Sequence, residues 1–77
     1  MTHVQAVILK RDIYDTNSAR RWLRRHNYYP IKRVHVTLNY LRYRLKEPDE
    51  NKYDYRLKTI TNGIKFVIGY AHNQMIE

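Results

Sequence analysis

The sequence predicts an α+β fold: a single helix packed on one face of a four- to five-stranded, mostly antiparallel sheet, in the order β-α-β-β-β-β. Three observations carry that expectation. His3 to Lys10 is rich in β-branched and aliphatic residues. Asp15-Thr16-Asn17-Ser18 is a cluster of capping residue types ahead of a segment with helical apolar spacing. From Arg33 onward the apolar period is two, broken by polar turn signals.

The first strand, His3 to Lys10, places Val4, Val7, Ile8 and Leu9 on both faces, so it belongs in the middle of the sheet. The helix is expected from about Asn17 to His26. Ala19, Trp22, Leu23 and the partly polar His26 follow the i, i+3, i+4, i+7 rule of one buried stripe. Arg20, Arg21, Arg24 and Arg25 occupy the rest. Tyr29 precedes Pro30 and is pushed out of helical geometry, which ends the segment. Val34, Val36, Leu38 and Tyr40 then share one parity, and Leu41, Tyr43 and Leu45 the other. The phase slip reads as two strands, about 33–38 and 40–46, pivoting at Asn39, or as one bent strand with a bulge. A polar loop, Glu47 to Lys52, leads to an alternating strand from Tyr53 to Thr61. Asn62-Gly63 signals a hairpin with a type I′ turn, which needs positive φ at both residues. The last strand runs Ile64 to Tyr70. The chain is read as a single domain, 1–77, with a frayed tail over 71–77. Trp22 and Leu23 are expected to dock on Leu41, Tyr43, Leu45, Leu57, Phe66 and Ile68.

Composition limits the function classes. Fifteen Lys and Arg oppose seven Asp and Glu, for a formal net charge of +8. A charge that lopsided in a short chain favours association with nucleic acid or an anionic membrane. Arginine matches phosphate bidentately, which favours nucleic acid over mere solubility. There is no cysteine, so disulfides and thiolate zinc sites are excluded. No apolar run reaches the roughly 20 residues of a membrane span, and no signal-peptide core is present. These features set the expected location as intracellular.

Two basic patches are expected. If Leu41, Tyr43 and Leu45 face the helix, Arg42, Arg44 and Lys46 face away from it. Arg56, Lys58 and Lys65 are expected beside them, with Tyr40 as a stacking ring. An ordinary solvated sheet face would also carry such cations. The second patch is Arg20, Arg21, Arg24 and Arg25, whose i, i+4 pairs repel and so point to an external anion. Pairing with the acidic 47–54 loop is the alternative. The two patches are expected on opposite sides of the domain.

Chemistry beyond charge is sparse. His3, His26, His35 and His72 lack metal-ligand spacing, and no cofactor motif or metal site is expected. Ser18 fits a helix start better than a nucleophile. Asp12, Asp15 and Asp54 form no recognisable nuclease pattern. No catalytic residues are assigned. Eight tyrosines suit interfaces as well as cores and suggest a homodimer through tyrosine-rich strands.

Several of these residues resemble a small domain encoded by large DNA viruses and tailed phages. They are Ala19-Arg20-Arg21-Trp22-Leu23, His26-Asn27-Tyr28, Arg42-Tyr43-Arg44, Pro48, Tyr55-Arg56 and Gly63-Ile64. In phages the similar pattern A-x-x-W-L…H-G-y…y-R-f-R-q…P…f-R…G-I occurs in proteins neighbouring or fused to head-maturation proteins. Here Asn27 stands where a glycine is common, and Leu45-Lys46 follow the Arg-Tyr-Arg. The resemblance implies a viral origin and a virion or genome-associated role, with host-cell cytoplasm or nucleus, or the virion, as the location and no catalytic residue to carry over. The functional expectation is a small nucleic-acid-binding or genome-packaging accessory protein, with DNA as partner. The alternative is a virion-associated or host-factor-binding interaction module, and a small nuclease ranks third.

Overall fold

The computed structural model describes residues 2–72. Its elements are β1 (Thr2–Lys10), α1 (Thr16–Arg25), β2 (His35–Val36), β3 (Tyr40–Arg44), β4 (Tyr53–Thr61) and β5 (Ile64–Ala71). They form one sheet in the order β2-β3-β1-β5-β4, every pairing antiparallel. The expected class and element order hold. β1 is central, as its two-sided apolar run requires, and Ala6, Val7 and Leu9 are fully buried.

β1 contains a bulge at Gln5, between Val4 and Ala6. The extra residue keeps Val4 and Val7 on the same face, opposite Ile68 and Phe66. The bulged residue is itself satisfied. Its carbonyl accepts the amides of Leu45 (2.8 Å) and Lys46 (3.2 Å), and its side-chain amide donates to the Lys46 carbonyl at 2.8 Å.

The helix is defined at both ends by its sequence. Asp15 accepts the Ser18 amide at 2.8 Å, and Ser18 Oγ accepts the Asp15 amide at 3.0 Å, a reciprocal capping box. The bond from the Ser18 amide holds the Asp15 carboxyl below its usual range. At the other end Asn27 adopts a left-handed φ of 63°. The amides of Tyr28 and Asn27 then reach back to the carbonyls of Leu23 (2.9 Å) and Arg24 (3.1 Å), a Schellman closure. Ala19 and Leu23 pack on Val7, Leu9, Leu41, Tyr43 and Ile64. Trp22 leans toward Phe66, ring centroids 6.2 Å apart. His26, expected on the buried stripe, is exposed, with its ring stacked on Trp22 at 4.0 Å.

The expected strands near 33–38 and 40–46 shorten to β2 and β3, joined by a turn through Asn39 in which the Thr37 amide donates to the Tyr40 carbonyl at 2.9 Å. The Asn62-Gly63 hairpin forms, but not with a type I′ turn: Gly63 has φ +83° while Asn62 does not reach positive φ. A bulge between Thr59 and Thr61 accompanies this turn. It has a large consequence. An unbulged hairpin closing on Thr61–Ile64 would set Leu57 opposite Ile68, on the helix side. The extra residue instead sets Leu57 opposite Val67, and Arg56 and Lys58 opposite Ile68 and Phe66. Leu57 therefore lies on the open face, 59% exposed, and is not under the helix. Ala71 ends β5, and the His72 amide donates to the Lys52 carbonyl at 2.9 Å, so the expected fraying does not begin at 71. Its remainder, 73–77, lies outside the described residues.

Candidate nucleic-acid interface

β3 alternates cleanly. Leu41 and Tyr43 are each 2% exposed beneath the helix, so Arg42 and Arg44 project from the opposite face. β2 pairs His35 with Arg42 on that same open face. The preceding loop is tied to β3 by the Ile31 amide, which donates to the Arg44 carbonyl at 2.9 Å. It brings Lys32 and Arg33 alongside. A cleft of about 460 Å³ results, lined by Lys32, Arg33, His35, Arg42 and Arg44. Its lining holds neither an acid nor an aliphatic side chain.

Glu47 stands at the margin of this cleft. It accepts from Lys32 at 2.9 Å and from Arg44 at 3.3 Å. The Lys32 hydrogen bond is the main reason its carboxyl is held below the usual value, with the Lys32 and Arg44 charges adding to it. Both pairs are solvent-exposed, so water competes for every partner. Arg42 Nε is buried and has no hydrogen-bond partner among the described residues.

A second cleft lies on the helix side. The Schellman closure and Pro30 carry Tyr28 and Tyr29 across from the end of the helix. With Leu23, Pro30, Val34 and Tyr43 they line a space of about 260 Å³. Four cations rim it: Arg20, Arg24, Lys32 and Arg33. Tyr28 is fixed by contacts with Trp22 and Phe66, at ring separations of 6.2 and 5.6 Å. Tyr29 is 66% exposed. Burial pushes the Tyr43 phenol above its usual pKa, and its hydroxyl has no hydrogen-bond partner among the described residues.

Lys32 and Arg33 line both clefts. The two basic patches expected on opposite sides of the domain are thus joined around the β2 edge. Arg20 and Arg24 belong to this crest. Arg21 and Arg25, each about 100° further around the helix, are exposed on another flank and line neither cleft. Among the described residues none of these four arginines forms an ion pair, so the expected alternative of pairing with the 47–54 loop is not seen within this chain. Lys65 lies on the open face as expected, its Nζ 5.5 Å from the Tyr40 ring centroid. It completes a transverse row, His35–Arg42–Ile8–Lys65. Arg56 and Lys58 do not join it. The β4 bulge turns them to the helix side, which corrects the expectation of a single cationic sheet face.

Sequence reasoning missed Lys32, Arg33, Tyr28 and Tyr29 as site residues. The available signal was consecutive cations next to Tyr28-Tyr29-Pro30, but a segment without periodicity gives no direction for its side chains. Among the described residues no group of three or more His, Cys, Asp or Glu is placed to hold a metal ion. No helix among them is long and apolar enough to cross a membrane. Compared with protein-family models, with curated proteins and with solved structures, the chain matches none. The likeness to viral and phage domains therefore stands on the residues quoted for it alone.

Proposed function

We propose that this protein binds nucleic acid, without catalysis, through phosphate contacts along the crest at the β2 edge. One observation carries the reading: two clefts share Lys32 and Arg33, one adding Arg42, Arg44 and His35, the other adding Arg20, Arg24 and three tyrosines around Leu23, Pro30 and Val34, with no acid in either lining and Glu47 paired to Lys32 at the margin. Arg42 and Arg44 from β3, and Arg20 and Arg24 from the helix, extend the charge to either side. Lys65 extends the open-face half. Guanidinium groups match phosphate oxygens, and a net charge of +8 steers any polyanion toward the surface. Such contacts fix position rather than read sequence, so binding is weakly sequence-specific. DNA is the partner expected, and in a viral setting the task is genome packaging. Binding to duplex DNA across a salt series tests this. Engaging about five phosphates gives a log–log slope near about −4.5. A flat dependence, or no binding at low salt, rejects it.

A second reading is favoured by β4, which among the described residues pairs only with β5 and has no partner on its outer edge. Leu57 and Ile60 there are 59% and 42% exposed. Such an edge invites a second copy of the chain to add its own β4. Sedimentation showing a monomer at all concentrations rejects it.

A further inference from the structure

Resting on the phosphate-binding reading above, we infer that the preferred ligand is single-stranded, with one unpaired base seated in the tyrosine cleft beside Tyr29.

The cleft has the composition that a nucleotide needs. Its walls and floor are aromatic or aliphatic, and its rim is cationic without an acid. The complement is a planar apolar ring with an anion next to it. At about 260 Å³ the space falls below the range of roughly 300–1,000 Å³ typical of drug-sized ligands, so it suits one ring system rather than a dinucleotide. A base within a duplex is stacked on both faces and is not available to such a cleft, whereas an unpaired base stacks readily on tyrosine.

The path of the backbone points the same way. From the tyrosine cleft the cations run over Lys32 and Arg33 to Arg42 on the opposite face of the sheet. The molecule measures 42 × 24 × 23 Å. A duplex with a persistence length of about 50 nm does not turn around so narrow an edge, but a single strand does. The continuation of the cations beyond the cleft also favours a strand, with phosphate after phosphate, over a lone phosphorylated side chain.

The test uses fluorescence anisotropy with a labelled oligothymidylate of about ten nucleotides, in the site-size range of small single-strand binders. It is compared with a duplex of the same length, with a single strand made wholly abasic, and with the ribo-oligonucleotide. Single strands, deoxy or ribo, are expected to bind about tenfold more tightly than duplex or abasic strand. Tyr29→Ala removes that preference and Tyr29→Trp keeps it. Tyr29 is mostly exposed, so neither variant disturbs the core, and circular dichroism confirms this. Equal affinity for all probes overturns the inference and leaves the phosphate reading standing. No binding to any probe overturns both. Displacement of the labelled strand by a phosphotyrosine peptide at lower concentration than by the unlabelled strand also overturns the inference.

Discussion

β3 and β4 carry similar sequences, Leu41-Arg42-Tyr43-Arg44 and Tyr55-Arg56-Leu57-Lys58, toward opposite ends of one sheet. In β3 the arginines share the open face with His35, and the intervening Leu41 and Tyr43 are buried under the helix. In β4 the cations lie on the helix side and Leu57 lies in solvent. Alternation within a strand says that charge and apolar groups separate. It does not say which face each takes. Register decides that, and one bulged residue reverses it. Arg42 and Arg44 at one end line a cleft with Lys32 and Arg33, whereas Arg56 and Lys58 at the other line neither of the two clefts described.

The widest gap between the two ends is expected in stability. Leu41→Ala empties a core position and costs about 2–5 kcal/mol. Leu57→Ala, on an exposed face, changes stability by about 0.5 kcal/mol or less. Urea denaturation of the two variants measures this. A Leu57→Ala cost matching that of Leu41→Ala breaks the comparison, because it puts Leu57 against the core. A smaller effect tests the close packing of β5 against its neighbours. A Cβ at Gly69 would stand 2.7 Å from His3 Cε1 and 2.9 Å from Tyr55 Cε1. Gly69→Ala is therefore expected to cost about 1–3 kcal/mol by thermal melting. The cost shrinks in a His3→Ala background, and persistence of the full cost there would place the clash elsewhere.

The smallest effect sharpens the electrostatics of the β3 end. Glu47 occupies Lys32 and Arg44 as a phosphate would. Glu47→Gln is expected to tighten DNA binding a few-fold at neutral pH. The acid's folded pKa is depressed, so its ion pairs stabilise the fold above the ordinary value of 4.5 and are lost as pH falls through the lowered one. Over that window the wild-type affinity is expected to rise toward that of the variant. A constant ratio between the two across it contradicts the role given to Glu47.

Much of this fold is legible in the sequence. Asp15 and Ser18 mark the helix start, and Ala19, Trp22 and Leu23 mark its inner side. The two-sided apolar run of β1 marks the centre of the sheet. The facing of β4 is not legible, because it depends on Asn62 staying out of positive φ and on Ile60 being taken up as a bulge. Half of the site is equally hidden. Arg20, Arg21, Arg24 and Arg25 are equivalent by spacing, and only the return path of residues 29–34 selects Arg20 and Arg24. That path is set by Asn27 in the left-handed region and by Pro30, which local pattern marks as an ending without giving a direction.

The most direct test removes two positive charges from either end. Lys32/Arg33→Ala takes them from the crest and Arg56/Lys58→Ala from β4, and all four side chains are exposed, so the core is left intact. Single-strand binding is followed across a salt series. The crest variant is expected to lose affinity strongly and to flatten the log–log slope by about 1.4, the loss of two phosphate contacts at about 0.7 each. The β4 variant is expected to keep the wild-type slope. Equal losses from both variants would mean that total charge, not the crest, holds the ligand.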